Sequence, residues 1–337
     1  MSNKVTNNYN WMDDWGHRDQ TEQSLTGWAH PGMATTSDGR IITCDSGHSE
    51  ILIYSQEGDL LESWSGNFTD AHGLTISTSE EGGEDVLWIA DNGSKRLAEH
   101  SYEYPPGADS QSGRVFRCDL NGIETLSLSQ PDHPAYKSSR YSPTSIAINE
   151  ISKGGNGDIW VADGYGASIV HRFSKDGNYL DSIDGTKGSG QFNCPHGIII
   201  DWRKNNPELY VADRANGRIQ VFDLDGNHLR TFGSDFMTTP SEFVLSGTKL
   251  IVAELEARLT VLDEGDQPIE YLFPDDSAAG SEGWPNELSD SGISRRPSSR
   301  LTPQKFNSPH GITTDEHGNI YVAEWLIGGR FTKLKIT

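Results

Sequence analysis

Three His-Gly pairs open short apolar runs in this chain: His72-Gly73, His196-Gly197 and His310-Gly311. A neutral imidazole is a common metal ligand, and three of them leave the fourth position of a tetrahedral ion open to water or substrate. Zinc is the ion expected on such a set, with iron, copper, manganese and cobalt as alternatives. Two further residues carry reactive groups at matching places: Tyr165, which follows Ala162-Asp163-Gly164, and Arg214, which follows Ala212-Asp213. A phenol beside a metal ion can lose its proton well below its usual value of about 10 and act as a base. An arginine offers a planar fork to a substrate carboxylate. The plainer alternatives are a packed tyrosine and a surface ion pair.

The elements that must position these groups are repeats. Six segments share one pattern, a short apolar strand, a polar turn and a second apolar strand ending in an acid. Their opening residues are Pro31, His72, Thr144, His196, Ser241 and His310, and the closing acids are Asp45, Asp91, Asp163, Asp213, Glu254 and Glu324. Further strand signals follow each pair. Turns at Glu57-Gly58, Asn121-Gly122, Asp176-Gly177 and Asp225-Gly226 join them in the manner of hairpins. Four antiparallel strands repeated six times predict an all-β, six-bladed β-propeller, a single domain over residues 1–337. Histidine takes the opening slot in alternate blades. Equivalent positions on alternate blades lie about 120° apart around a six-fold channel, so the three imidazoles are expected to converge. A histidine that merely bonds a neighbouring carbonyl explains one His-Gly pair, but not this alternation with Pro, Thr and Ser.

The closing acid recurs in all six copies, so its expected role is structural, as an acceptor for backbone N–H groups. Orienting a zinc imidazole is the alternative. Insertions interrupt the frame at about residues 93–113, 127–141 and 274–306, either as solvated loops or as the rim of a site. The last copy is short of a fourth strand, and the segment before Trp28 is expected to supply it, since an open sheet edge invites association.

Composition narrows the function classes. The formal net charge is −22, from 49 acidic and 27 basic residues, which argues against nucleic acid and against an anionic membrane surface. A small-molecule or peptide substrate is the expected partner. No run approaches the roughly 18 apolar residues of a membrane span. Residues 1–15 lack the charged and apolar regions of a secretory signal, so a cytoplasmic location is expected, or secretion if a leader had been removed. Cys44, Cys118 and Cys194 are odd in number and far apart, which predicts free thiols, with Cys44 in an apolar strand and Cys118 in a polar one.

Four stretches resemble the NHL-repeat propellers, and among them the peptidyl-α-hydroxyglycine α-amidating lyases. They are Ala71-His72-Gly73-Leu74-Thr75-Ile76, Pro143-Thr144-Ser145-Ile146 continuing to Val161-Ala162-Asp163-Gly164-Tyr165, Gly190-Gln191-Phe192-Asn193-Cys194-Pro195-His196 continuing to Val211-Ala212-Asp213-Arg214, and Phe306-Asn307-Ser308-Pro309-His310. The resemblance implies zinc on His72, His196 and His310, Tyr165 as the catalytic base and Arg214 as a substrate contact. It implies cleavage of a carbinolamide, an N-linked α-hydroxyglycine, to an amide and glyoxylate. Two positions depart from the family. No arginine stands within Thr43-Cys44-Asp45-Ser46-Gly47-His48, where the family has one. Gly311 stands where the family has an aspartate that helps hold a structural calcium, so calcium is not expected here. The leading expectation is therefore a zinc-dependent lyase. A metal-dependent lactone or ester hydrolase is the first alternative, and a non-catalytic NHL scaffold the second. Gluconolactonase-type propellers fit less well, because they use carboxylate and amide ligands.

Overall fold

The computed structural model describes residues 8–13, 15–79, 83–104 and 112–337. Six four-stranded antiparallel sheets carry the repeat, and the fold is a six-bladed β-propeller. The third blade shows the general plan, with strands Ser145–Ile148, Ile159–Asp163, Ile169–Phe173 and Tyr179–Ile183 paired in chain order. The fourth blade repeats it with Pro195–Asp201, Glu208–Asp213, Arg218–Phe222 and His228–Phe232. Burial falls along each blade. Ile159–Asp163 is buried at every residue, whereas Tyr179–Ile183 is exposed or half-buried. A strand buried on both faces reads as a continuous apolar run, which is why the second strands of all blades look alike in sequence.

Two compact units divide the chain: Met1–Ala71, Ser94–Ser110 and Phe243–Thr337 form one, and His72–Gly93 with Gln111–Glu242 the other. In the first unit, Tyr9–Met12 pairs antiparallel with Arg330–Ile336 and completes the sheet of Pro309–Thr314 and Ile320–Glu324. Trp11 of that N-terminal strand packs on Phe273 and Phe306, at 5.1 and 4.8 Å between ring centroids. The insertion at 274–306 lies in this unit as well. It contains a small hairpin, Glu287–Leu288 with Ser294–Arg295, and Arg296 donates to the Ile327 carbonyl at 2.9 Å. Of the insertion at 93–113, residues 105–111, including Pro105 and Pro106, lie outside the described residues.

In the second unit one core joins the third and fourth blades through Trp160, Ala162, Ile198, Leu209, Val211 and Phe222, all nearly or fully buried. Glycines permit the tight hairpins, as at Gly177 and Gly226, where φ is +83° and +82°. The three cysteines are free thiols. Cys118 departs from its expected polar setting. It pairs across the sheet with Leu87 and is fully buried, and burial pushes its thiol up to about 12. Among the described residues no helix is long and apolar enough to cross a membrane.

Candidate functional site

The opening slot of each blade is shaped by a contact that the sequence pattern only hinted at. His72 Nδ1 lies 2.7 Å from the Thr144 carbonyl oxygen, and His196 Nδ1 lies 2.8 Å from that of Ser241. His310 Nδ1 lies 3.2 Å from the carbonyl of Pro31. Thr144, Ser241 and Pro31 are the slot residues of the blades that lack histidine. Each imidazole therefore reaches the slot carbonyl of the following blade. The glycine after each histidine makes this approach possible. A Cβ on Gly73, Gly197 or Gly311 would fall 2.6, 2.4 or 2.3 Å from the same carbonyl. In this backbone any side chain at these glycines would require the neighbouring carbonyl to shift.

A carbonyl can only accept, so each Nδ1 carries the proton and each Nε2 holds the lone pair. This is the tautomer in which Nε2 can ligate a metal, with the second ring nitrogen anchored to hold the ring's orientation. Carbonyl bonding and metal ligation are thus compatible uses of one histidine. The orienting groups at Nδ1 are carbonyls rather than the closing acids. The acids instead take backbone N–H groups, as Asp45 does from Gly47 and His48, and Glu324 from Asn307 and Ser308.

The second unit brings four of the candidate residues together. His72 and His196 are fully buried, their rings 4.6 Å apart, with ligand nitrogens within 4.8 Å of one another. The Tyr165 ring lies 5.1 Å from that of His72 and 5.5 Å from that of His196. Its hydroxyl donates to His196 Nε2 at 3.1 Å. Arg214 Nη1 donates to the same hydroxyl at 3.3 Å, with the guanidinium carbon 5.3 Å from the phenol ring centre. The phenol oxygen thus sits between an acceptor for its proton and a cation that favours negative charge on it.

Local sequence dictates these placements. Tyr165 rides on a Gly-Tyr-Gly turn after the third blade's second strand. A Cβ at Gly164 would meet the Pro195 carbonyl at 2.5 Å, and one at Gly166 the Asp163 carboxylate at 2.2 Å, so neither neighbour tolerates a side chain. Arg214 opens the 3-10 turn Arg214–Asn216, which ends at Gly217 with φ +60°. His196 lies at a register break in its strand, a common device for re-aiming a side chain at a site.

In the first unit His310 is buried at a similar register break. Beside it lies His30, a residue the sequence reading missed. The two rings are 5.6 Å apart. His30 Nδ1 donates to buried Asp70 at 2.8 Å, and its Nε2 is 3.2 Å from the Tyr104 hydroxyl. The signal was present: Ala29-His30-Pro31-Gly32 is Ala71-His72-Gly73 with one proline added. That extra residue moves the histidine one place out of the slot.

Comparison with known proteins agrees with this architecture. A family described as a 6-bladed beta-propeller, DUF5128, matches residues 145–258. The chain is a six-bladed β-propeller. The human NHL repeat-containing protein 3 is 30% identical over 222 residues, covering 63% of this chain and 58% of that protein. Peptidyl-alpha-hydroxyglycine alpha-amidating lyase 1 of Drosophila melanogaster is 27% identical over 292 residues, 79% of this chain and 45% of that protein. Homologues of this propeller thus include NHL-repeat proteins and amidating lyases. The chain spans 58% of the first of these relatives. Among solved structures, streptogramin B lyase superposes with a TM-score of 0.58 at 15% identity, covering 93% of this chain and 96% of the other, which is a likeness of fold.

Proposed function

We propose that this propeller is a metal-dependent lyase that cleaves the C–N bond of a small α-hydroxylated, carbinolamide-like substrate. The observation that carries the reading is the Tyr165 hydroxyl, set between His196 Nε2 and Arg214 Nη1 beside His72. His72, His196 and His310 are the proposed ligands. They share the repeat slot, the Nδ1–carbonyl bond and the resulting Nε2 lone pair, which suits a divalent ion such as zinc; that of His196 would pass from the Tyr165 hydroxyl to the ion. Such an ion would supply Lewis acidity to an α-hydroxyl group.

The chain's own residues account for the proton and the charge. Tyr165, as phenolate, takes the proton of the substrate hydroxyl. The electrons of that O–H bond form the new carbonyl, the C–N bond breaks, and the nitrogen leaves as an amide after regaining the proton. Arg214 donates to the phenol oxygen and can turn a second N–H of its fork to a substrate carboxylate. The relatives named as amidating lyases support this class, and the NHL repeat-containing relative supports a scaffold as the competing reading.

The test is glyoxylate release from an α-hydroxyglycine derivative by wild type and by Tyr165→Phe, with metal content measured on both. The expected result is a loss of at least about 100-fold in Tyr165→Phe, with unchanged metal and melting temperature. Equal rates would remove Tyr165 from its role. Ester turnover without carbinolamide turnover would move the reading to hydrolysis. Metal far below one ion per chain, with no turnover of either class, would leave the scaffold.

A further inference from the structure

The insertion that begins after the second blade's second strand contributes Arg96, which has an unusual setting in the first unit. Its guanidinium carbon lies 4.6 Å from the Trp28 ring centre, 4.3 Å from that of Tyr104 and 5.8 Å from that of Trp325. Its backbone is held too, since Trp28 N–H donates to the Arg96 carbonyl at 3.0 Å. Aromatic faces on several sides fix the plane of the cation without neutralising it.

No carboxylate does so either. Among the described residues Arg96 forms no ion pair, although the chain has 49 acidic residues against 27 basic ones. Arg18, Arg258 and Arg330, in the same unit, each meet a closing acid: Asp45, Glu254 and Glu324. The N–H groups around Arg96 repeat the imbalance. Its Nε is enclosed without an acceptor, and so are the indole N–H groups of Trp28 and Trp325. The indoles of Trp15 and Trp284, in that unit, find carbonyls at 2.9 Å. An enclosed donor left without an acceptor costs about 1–3 kcal/mol, so several in one patch call for an explanation.

We propose that Arg96 and the aromatic rings around it form a binding site for a small planar carboxylate. With Nε enclosed, the outer edge of the half-buried fork, Nη1 and Nη2, is the part that meets the ligand. Two parallel N–H donors match the two oxygens of a carboxylate. The indole N–H dipoles add positive potential at the wall, and the rings offer flat apolar surface to a planar ligand. The strong negative charge of the chain disfavours polyanions such as phosphate esters, which leaves a singly charged acid as the fitting class. His30 stacks on Trp325 at 5.5 Å and 22° and lies against His310, so the site adjoins one proposed metal ligand. It requires no metal itself and stands independently of the lyase reading.

The test is titration of the full chain with benzoate, followed by tryptophan fluorescence and calorimetry, with neutral benzamide as the control. Saturable benzoate binding is expected, together with much weaker benzamide binding. Arg96→Met should weaken benzoate about tenfold or more, and Arg96→Lys by a smaller factor, because it keeps the charge and loses the fork. Binding should persist after chelation of metal. The proposal is overturned if wild type shows no saturable binding, if benzamide binds as well as benzoate, or if chelation abolishes binding. It is equally overturned if Arg96→Met lowers the melting temperature and leaves benzoate affinity unchanged, since Arg96 would then only pin the insertion.

Discussion

The third and fourth blades share one strand plan and carry opposite solutions for the acid that closes the second strand. In the fourth, Asp213 accepts from Arg218 Nε at 2.7 Å, Gln220 Nε2 at 3.1 Å and the Asn193 N–H at 2.8 Å. In the third, Ile169 and His171 occupy the places of Arg218 and Gln220. Asp163 has no arginine opposite it, and the strand's own Arg172 pairs with Asp158 instead. It accepts from the Ser142 and Ala167 N–H groups and from the Tyr136 hydroxyl, each at 2.7 Å. Burial raises its carboxyl pKa, and hydrogen bonds oppose that rise.

Tyr136 comes from the insertion at 127–141, so a segment outside the repeat fills the place of a repeated arginine. Its hydroxyl also lies 2.6 Å from His171 Nε2, and His171 Nδ1 lies 2.7 Å from Ser182 Oγ, which meets the Tyr179 hydroxyl at 2.7 Å. Tyr136 has one proton and gives it to Asp163, so His171 Nε2 donates to Tyr136 and Nδ1 accepts from Ser182. This neutral chain holds the turn that carries Tyr165, while the ion pair in the fourth blade holds the turn that carries Arg214. Asp163 is thus held through hydrogen bonds from neutral donors, and Arg214 is the cation bonded to the phenol oxygen.

Removing the fourth blade's acid should have the largest effect. Asp213→Ala leaves Arg218 without its carboxylate and takes one acceptor each from Gln220 and the Asn193 N–H, and is expected to cost about 3–5 kcal/mol in urea unfolding. A cost below about 1 kcal/mol would erase the contrast between the blades. The third blade should instead reveal itself through pH. Burial pulls the His171 pKa from 6.5 down to about 3, with a smaller contribution from His133. The unfolded chain therefore binds this proton more readily. The stability due to a neutral His171 is complete above pH 6.5 and falls away as pH drops towards 3. Between about pH 6.5 and 4.5 the loss is about 2 kcal/mol, and His171→Gln should flatten that part of the profile. An unchanged slope in the variant would place the titration elsewhere.

Tyr136→Phe removes the link between Asp163 and His171 and should cost about 1–3 kcal/mol. It should also lower the activity proposed for Tyr165 without changing metal content. The same loss of stability with full activity would make the chain a support for the fold alone. Tyr179→Phe trims only the half-exposed end and should change stability by less than about 1 kcal/mol.

Much of the fold was legible because it repeats. Six apolar second strands ending in an acid are a pattern in one dimension, and the alternation of histidine with Pro, Thr and Ser needed no coordinates. Residues outside the repeat were harder to read. Tyr136 and Arg96 come from insertions with no register to align against. His30 was hidden by the extra Pro31, which shifts it out of the slot. Cys118 looked polar between Arg117 and Asp119, but neighbours along a strand face opposite ways, and Cys118 shares its face with buried Phe116.

The sequence by itself determined the six blades, the slot shared by His72, His196 and His310, and the candidate reactive pair Tyr165 and Arg214. These depend on strand period and repeat register, which are properties of neighbours along the chain. The tertiary structure decided which carbonyl each imidazole meets, and so which nitrogen keeps its lone pair. It also decided that Arg214 donates to the Tyr165 hydroxyl, and that Asp163 has a tyrosine where Asp213 has an arginine. Those facts depend on distances across blades and insertions, where residues far apart in sequence come within hydrogen-bonding range.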